Sequence, residues 1–440
     1  MTQPAAIGHP GLVAAIAEDI HASGPIPFAR FMELALYHPQ FGYYTRTTDG
    51  NGDEQTGPDQ SAEDRTGPGR TCEDRIGQGP TCEDRIGQGQ ACEDRIGWNG
   101  DFYTSSDVHP VMAQALARQV QQVDEALGRP DPFTVIEMGA GKGLLARDFL
   151  TACERTPGDF FRRLRYVVIE HSPPMRAAQR QHLGRWAGSP GTLSWLDDLA
   201  QLEDGSLTGV LLSNELVDAF PVHRIAMAQD GPKELFVGWE GDRFVELAQP
   251  LSNQDLQRYL QRLSSIDITL SEGYRAEVNL AAVAWMKDVA RVLGRGLILT
   301  IDYGHTAQDL YGPDRRKGTL LCYYHQMASD DPYTRVGMQD MTAHVDFTSL
   351  ATVGEEAGLA TTGFTNQMSF LMGLGVEQIL DGLEPGSRDF QAIVHLLRPE
   401  GMGRTFKILA QHKGVALPDL DGLRFKPFFG SALRMPAYAK

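Results

Sequence analysis

Cysteine, long apolar runs and basic charge are all scarce in this chain, and each shortage closes off a class of protein. No apolar run reaches the roughly 18 residues that a membrane-spanning helix needs. The five cysteines in 440 residues are an odd number, which does not read as a secreted disulfide framework. Three of them, Cys72, Cys82 and Cys92, recur every ten residues, a spacing that matches no common zinc pattern. Lys and Arg number 40 against 57 Asp and Glu, a formal net charge of −17. Such a molecule repels phosphate backbones and anionic lipid, so nonspecific nucleic-acid binding is not expected. Met1 to Gly24 lacks the basic and apolar regions of a signal peptide and any Arg-rich transit pattern. A cytoplasmic, bacterial-type location is the expectation, and a mitochondrial one would require a targeting signal outside this sequence.

What is present is an apolar share of 42%, enough for a sizeable core and against global disorder. The charge is unevenly spread. Thr47 to Gly100 holds near-copies of one ten-residue unit (TCEDRIGQGP, TCEDRIGQGQ, ACEDRIGWNG), with 12 acidic residues, 5 basic residues and 11 glycines. Only nine of its 54 residues are apolar, too few to offset the entropy of ordering, so this insert is expected to be a disordered loop. Without it the chain keeps 35 basic and 45 acidic residues and two cysteines. The division that follows is an N-terminal helical segment (1–46), the acidic repeat (47–99), a main domain (100–415) with an insertion at about 216–290, and a tail (416–440).

In the main domain, apolar runs ending in Gly or acidic residues stand at Phe133 to Met138, Tyr166 to Glu170, Gly209 to Ser213 and Gly296 to Ile301. Helical patterns such as Val108 to Leu127 and Leu280 to Leu293 separate them. Short apolar runs alternating with helices predict an α/β fold, a doubly wound and mostly parallel sheet covered on both faces. Val222 to Ala228 and Glu234 to Trp239 flank Gln-Asp-Gly-Pro and predict a hairpin, placed where a few loop residues would suffice for a crossover. A substrate-covering subdomain is the natural reading.

Val135-Ile136-Glu137-Met138-Gly139-Ala140-Gly141-Lys142-Gly143 runs from a strand into a Gly-rich turn and then a helix. Glycines let a backbone turn sharply and approach a ligand closely. A P-loop fails because Gly143 follows Lys142 and Ile136 holds the place of the first Gly. A dinucleotide fingerprint fails at Leu144. What remains is acidic-x-Gly-x-Gly-x-Gly, the pattern expected for S-adenosylmethionine, whose cationic sulfonium and amino group suit Glu137. Glu170, after the second run, is placed to accept ribose hydroxyls, or else to serve the following helix as a cap or first-turn acid. Trp195, Asp197 and Asp198 fall where adenine is met, or on a surface loop.

Ordered blocks across most of the chain outside the insert and tail resemble the MidA-like methyltransferases. They run through Phe28 to Tyr44, Gly100 to Thr104, Glu137 to Gly143, Glu170 to Arg176, Ser213 to Pro221, Ile301 to Gly304, Asp340 to Phe347, Gln367 to Leu371 and Gly401 to Lys407. That family includes a mitochondrial complex I assembly factor that methylates a protein arginine. The resemblance implies a Rossmann-like class I methyltransferase sheet, expected to have seven strands, with a long insertion after the fourth. It also implies S-adenosyl-L-methionine as cofactor, held by Gly100, Asp101, Glu137, Gly139, Gly141, Gly143, Glu170, Asp197 and Asn214. The client it implies is a protein presenting an arginine, with a complex I subunit as the candidate and symmetric dimethylation as the product. Two departures stand out: Thr104-Ser-Ser-Asp107 replaces Thr-x-Pro-Glu, and the repeat interrupts the chain between Tyr44 and Gly100.

Arginine stays protonated near neutrality, so an enzyme must hold a planar cation, which carboxylates do through paired, charge-assisted hydrogen bonds. Asn214, Glu215 and Asp218 follow an apolar run at the expected carboxyl edge of the sheet. Glu215 is the expected guanidinium holder, with Asp218 its partner on one side of a helical turn and Asn214 offering an amide oxygen. The other reading of these three is a capped short helix whose acids complement its dipole. His344 is a candidate proton acceptor, with Asp302, Tyr303 and Asp346 as further candidates. No hydrolase elbow or His-Glu-x-x-His metal motif occurs. Two alternatives stay open: a small-molecule methyltransferase, and an assembly chaperone that binds cofactor without transferring methyl.

Overall fold

The computed structural model describes residues 7–46, 101, 104–188, 192–417 and 419–425. The repeat insert, Gly100 and most of the tail lie outside the described residues. Among the described residues the central sheet has eight strands, of which seven form its continuous order: β1 Phe133–Met138, β2 Leu164–Ile169, β3 Leu193–Leu196, β4 Leu207–Asn214, β5 Leu293–His305, β6 Ala360–Asn366 and β7 Phe406–Lys413, while the two-residue strand Val345–Asp346 pairs with the end of β5. The order of the seven is β3-β2-β1-β4-β5-β7-β6. The first five run parallel, and β7 lies antiparallel between β5 and β6. All four apolar runs became strands, β5 extending well beyond Gly296 to Ile301 at both ends. The order reverses between β1 and β4, so their carboxyl ends diverge into a crevice where open α/β sheets bind ligands.

Each sheet face carries its own apolar layer, which is why the strand runs are apolar on both sides. Helices Val111–Ala126 and Leu144–Arg155 cover one face, burying Leu116, Phe149 and Leu150 with Phe133 and Tyr166. Helices Leu280–Val292 and Phe347–Glu356 cover the other with Met286, Val289, Phe347 and Leu350. The expected helix from Val108 instead begins at Val111 after a separate short turn, Ser105–Val108. Pro110 disfavours helix at the residue before it, and His109 is extended at φ −162°.

The hairpin forms between His223–Ala228 and Gly231–Glu240 and grows into a second sheet with Arg243–Gln249 and Arg275–Val278. The N-terminal helices α1 (Pro10–Ser23) and α2 (Phe28–Tyr37) belong to this layer. Ile26 pairs with Val237, and Phe28, Phe31 and Met32 share a core with Val222, Val237, Phe244, Leu320 and Met341. Fully burying one such side chain is worth about 1.5–3 kcal/mol, so the N-terminal segment is built into the covering layer. The chain between β5 and β6 also forms a separate three-stranded sheet, Leu321–Tyr324, Met327–Ser329 and Asp340–Thr342. No helix among the described residues is long and apolar enough to cross a membrane.

Candidate functional site

The turn after β1 holds three glycines in the left-handed region, at φ 73° (Gly139), 50° (Gly141) and 84° (Gly143). They do different work. A Cβ at Gly139 would lie 2.9 Å from Leu216 Cδ1, so this glycine lets the turn nest against the loop after β4. A Cβ at Gly141 would meet nothing within 4 Å, because the backbone there faces open space. Gly143 caps the following helix. The open space is a cavity of about 510 Å³ at the carboxyl ends of β1, β2 and β4, a volume ordinary for a small-molecule site. It is lined by Glu137, Gly139 to Lys142, Glu170, Asp197, Asp198, Asn214, Glu215 and Trp285, and by Tyr37 and Tyr44 from the N-terminal segment.

Glu137 is buried at the end of β1 and accepts a hydrogen bond from the Tyr166 hydroxyl at 2.7 Å. Burial pushes its carboxyl up to about 7. Glu170 accepts the Ser172 backbone amide at 2.8 Å on one oxygen and Gln179 Nε2 at 3.2 Å on the other. Gln179 Nε2 also donates to the Gly141 carbonyl at 2.9 Å, tying the glycine turn to Glu170. The contact to Ser172 at the helix start and the place on the cavity wall coexist, since a carboxylate accepts about four hydrogen bonds. Asp197 lines the cavity while exposed and paired with Arg176. Asp198 also caps the turn Leu199–Gln201. Trp195 does not line the cavity; its Nε1 donates to Gln179 Oε1 at 3.0 Å and so steadies that side chain.

At the end of β4, Asn214 Nδ2 donates to Glu215 Oε1 at 3.1 Å, while Asn214 Oδ1 is buried with no partner among the described residues. Glu215 sits at φ 53°, an uncommon, strained state for a residue other than glycine. Oε1 also accepts the Ser105 amide at 3.4 Å. Burial, with the nearby Asp218 adding repulsion, pushes Glu215 up to about 8. The expected helical turn shared by Glu215 and Asp218 does not form. Asp302 Oδ2 instead accepts the amides of Val217 at 2.9 Å and Asp218 at 3.3 Å, pinning a non-helical loop. Glu215 faces the cavity, whereas Asp218 is buried outside its lining, bonded to the Tyr303 hydroxyl and pushed by burial up to about 6.

The remaining candidates lie apart from the cavity. Asp101 accepts the Tyr43 hydroxyl at 2.7 Å and the His325 amide at 2.6 Å, and so anchors the turn between Leu321–Tyr324 and Met327–Ser329. His344 packs against the rings of Tyr303 and His305 with centroids 5.7 and 5.2 Å away, and is not among the cavity residues. Burial, then Arg315 and Lys407, lowers it to about 4, so it is neutral at pH 7. Asp346 caps helix Phe347–Glu356 and pairs with Arg262 at 3.2 Å. Sequence reasoning missed Tyr37, Tyr44 and Trp285 on the wall. It also missed Asp340, buried behind Tyr44, whose hydroxyl donates to Asp340 Oδ1 at 2.7 Å.

The family model described as S-adenosyl-L-methionine-dependent methyltransferase matches residues 115–365. The crystal structure of a COG1565 superfamily member from Burkholderia thailandensis, bound to S-adenosyl-homocysteine, superposes with a TM-score of 0.75 at 30% identity, covering 94% of each chain. Among sequence relatives, protein arginine methyltransferase NDUFAF7 homolog, mitochondrial, from Drosophila melanogaster is 24% identical, over 94% of this chain and 87% of its own. The human protein arginine methyltransferase NDUFAF7, mitochondrial, is 25% identical, over 71% of this chain and 73% of its own.

Proposed function

The chain belongs to a family of S-adenosyl-L-methionine-dependent methyltransferases, and from that premise we propose that it methylates the guanidinium of an arginine in a protein client. One observation carries this reading. Some buried carboxylates elsewhere are paired with arginine: Asp124 with Arg163 at 2.7 Å and Asp346 with Arg262 at 3.2 Å. Around the cavity, Glu137, Glu215, Asp218, Asp302 and Asp340 have no Lys, Arg or His nitrogen within salt-bridge distance among the described residues. Burying uncompensated acids is costly, and a site that does so is built to receive cations. Glu137 suits the cationic cofactor, next to the glycine turn that opens at Gly141. Glu215 and Asn214 Oδ1, on the β4 side, suit a second cation that offers only hydrogen-bond donors, as guanidinium does.

The cofactor supplies an electrophilic methyl group. The protein's task is positioning. Glu215 Oε2 holds the guanidinium through a charge-assisted hydrogen bond, and Asn214 Oδ1 accepts from the nitrogen to be methylated. That nitrogen gains a carbon and must lose a proton, and the Glu215 carboxylate, titrating near neutrality, is placed to take it. His344, outside the cavity, has no part in this account. The names of the relatives support arginine as the target. The resemblance points to an NADH dehydrogenase subunit as the first client to try and to symmetric dimethylarginine as the product.

The test is incubation of labelled cofactor with lysate from cells lacking the protein. Wild type is expected to label a protein band that Glu215→Gln does not. Label confined to small molecules would replace this reading with a small-molecule methyltransferase. Tight cofactor binding with no label would leave an assembly chaperone.

A further inference from the structure

Tyr44 reaches the cavity wall from the N-terminal segment, far in sequence from the strand that ends in Asn214. Its ring stacks on Tyr37, centroids 5.5 Å apart, and Tyr37 is fixed by a hydrogen bond from its own hydroxyl to the Ala219 carbonyl at 3.0 Å. The single proton of the Tyr44 hydroxyl is given to Asp340 Oδ1 at 2.7 Å. Asp340 comes from the sheet inserted between β5 and β6, is buried, and also accepts the Met341 amide on Oδ1 at 2.9 Å. A phenol whose only proton is committed offers a ligand lone pairs and nothing else.

We propose that Tyr44, which lines the same cavity as Asn214 and Glu215, is a second acceptor for the substrate guanidinium, and that Asp340 is the positioning residue that keeps the Tyr44 hydroxyl turned as an acceptor. The inference rests on the arginine reading above and extends it to residues from two further parts of the chain. It accounts for a buried acid with no cationic partner: Asp340 holds a hydroxyl proton, and its charge adds to the field that receives the cation. Were residue 340 apolar, the phenol proton would lose its acceptor and be free to turn toward the substrate, a donor facing a donor, whereas an amide would keep an oxygen in the place where Oδ1 now accepts both the Met341 amide and the Tyr44 proton. Burial pushes Asp340 up to about 7, which agrees with a carboxyl lacking a resident counter-charge.

The experiment is calorimetric titration of N-acetyl-L-arginine amide into the full-length protein loaded with S-adenosyl-homocysteine, for wild type, Tyr44→Phe, Asp340→Leu and the double variant, with Glu215→Gln alongside. Each single variant is expected to bind the probe at least about tenfold more weakly, about 1.4 kcal/mol. Affinity for S-adenosyl-homocysteine should stay within about twofold and the melting temperature should not fall, readouts that separate positioning from damage to the fold. Because the two residues act as one unit, the double variant should lose no more than either single one. Wild-type affinity in both single variants, with binding lost only in Glu215→Gln, would overturn this proposal and leave the arginine reading standing. Additive losses in the double variant would overturn the positioning role of Asp340. A wild type that fails to bind the probe would overturn both.

Discussion

Gly141→Val should abolish cofactor binding, lowering affinity by more than about 100-fold, or about 2.8 kcal/mol, while the protein stays folded. The substituent would project where nothing of the protein lies within 4 Å, so its methyl groups enter the cavity that the cofactor must fill. The left-handed backbone at φ 50° adds roughly 1–3 kcal/mol of strain, tolerable to a folded protein of this size. Gly139→Val is a different experiment, because its Cβ would press on Leu216 at 2.9 Å and displace the loop that carries Glu215. Calorimetry with S-adenosyl-homocysteine and far-ultraviolet circular dichroism on both variants separate lost space from lost structure. Retained affinity in Gly141→Val would contradict the cradle assigned to this turn.

Glu215→Gln should lower methyl transfer by roughly 10²–10³-fold, the scale of losing one preorganised polar contact to a reacting group. Cofactor affinity should change little. The same substitution should raise thermal stability, and the pH dependence follows from the raised pKa. Glu215 titrates at about 8 in the folded protein against an ordinary value of 4.5. A group with a raised folded value contributes its stability below the ordinary value and loses it as pH rises through the folded one. Glutamine does not titrate, so the advantage of the variant should be absent near pH 4, grow between about 4.5 and 8, and level off above. Asp218, Asp302 and Asp340 titrate nearby, which broadens each profile, but the difference between the two proteins isolates Glu215. Arginine affinity of the wild type should rise over the same window as the carboxylate ionises. Melting curves from pH 4 to 9 check the first expectation, and a less stable variant at pH 8 would contradict the account of an uncompensated acid.

Local patterns were legible where the chemistry is local. The apolar runs became β1, β2, β4 and β5, the alternating pair became a hairpin, and the Gly139 to Gly143 turn carries the left-handed backbone that its glycines imply. Glu137, Glu170, Asn214 and Glu215 stand on the cavity because each closes or follows a strand at the carboxyl edge. What was not legible depends on tertiary contact. Nothing in spacing could show that Asp302, 84 residues from Asp218, would pin its amide and turn the expected helical face into a loop with Glu215 and Asp218 on different sides. Tyr44 and Asp340 are 296 residues apart and meet only because the N-terminal helices pack into the covering layer. Asp101 and His344 stand in motifs beside cavity residues, yet their neighbours are a β-turn in one case and a histidine and a tyrosine ring in the other.

The most direct test of the central claim is tandem mass spectrometry of proteins from cells carrying the wild-type chain, the Glu215→Gln chain or a deletion. The account predicts a protein whose arginine gains methyl groups in the wild type alone, with unmodified arginine at the same position in the other two. Methylation in the wild type that falls on lysine, on carboxyl groups or on small molecules, with no arginine differing among the three strains, would contradict it.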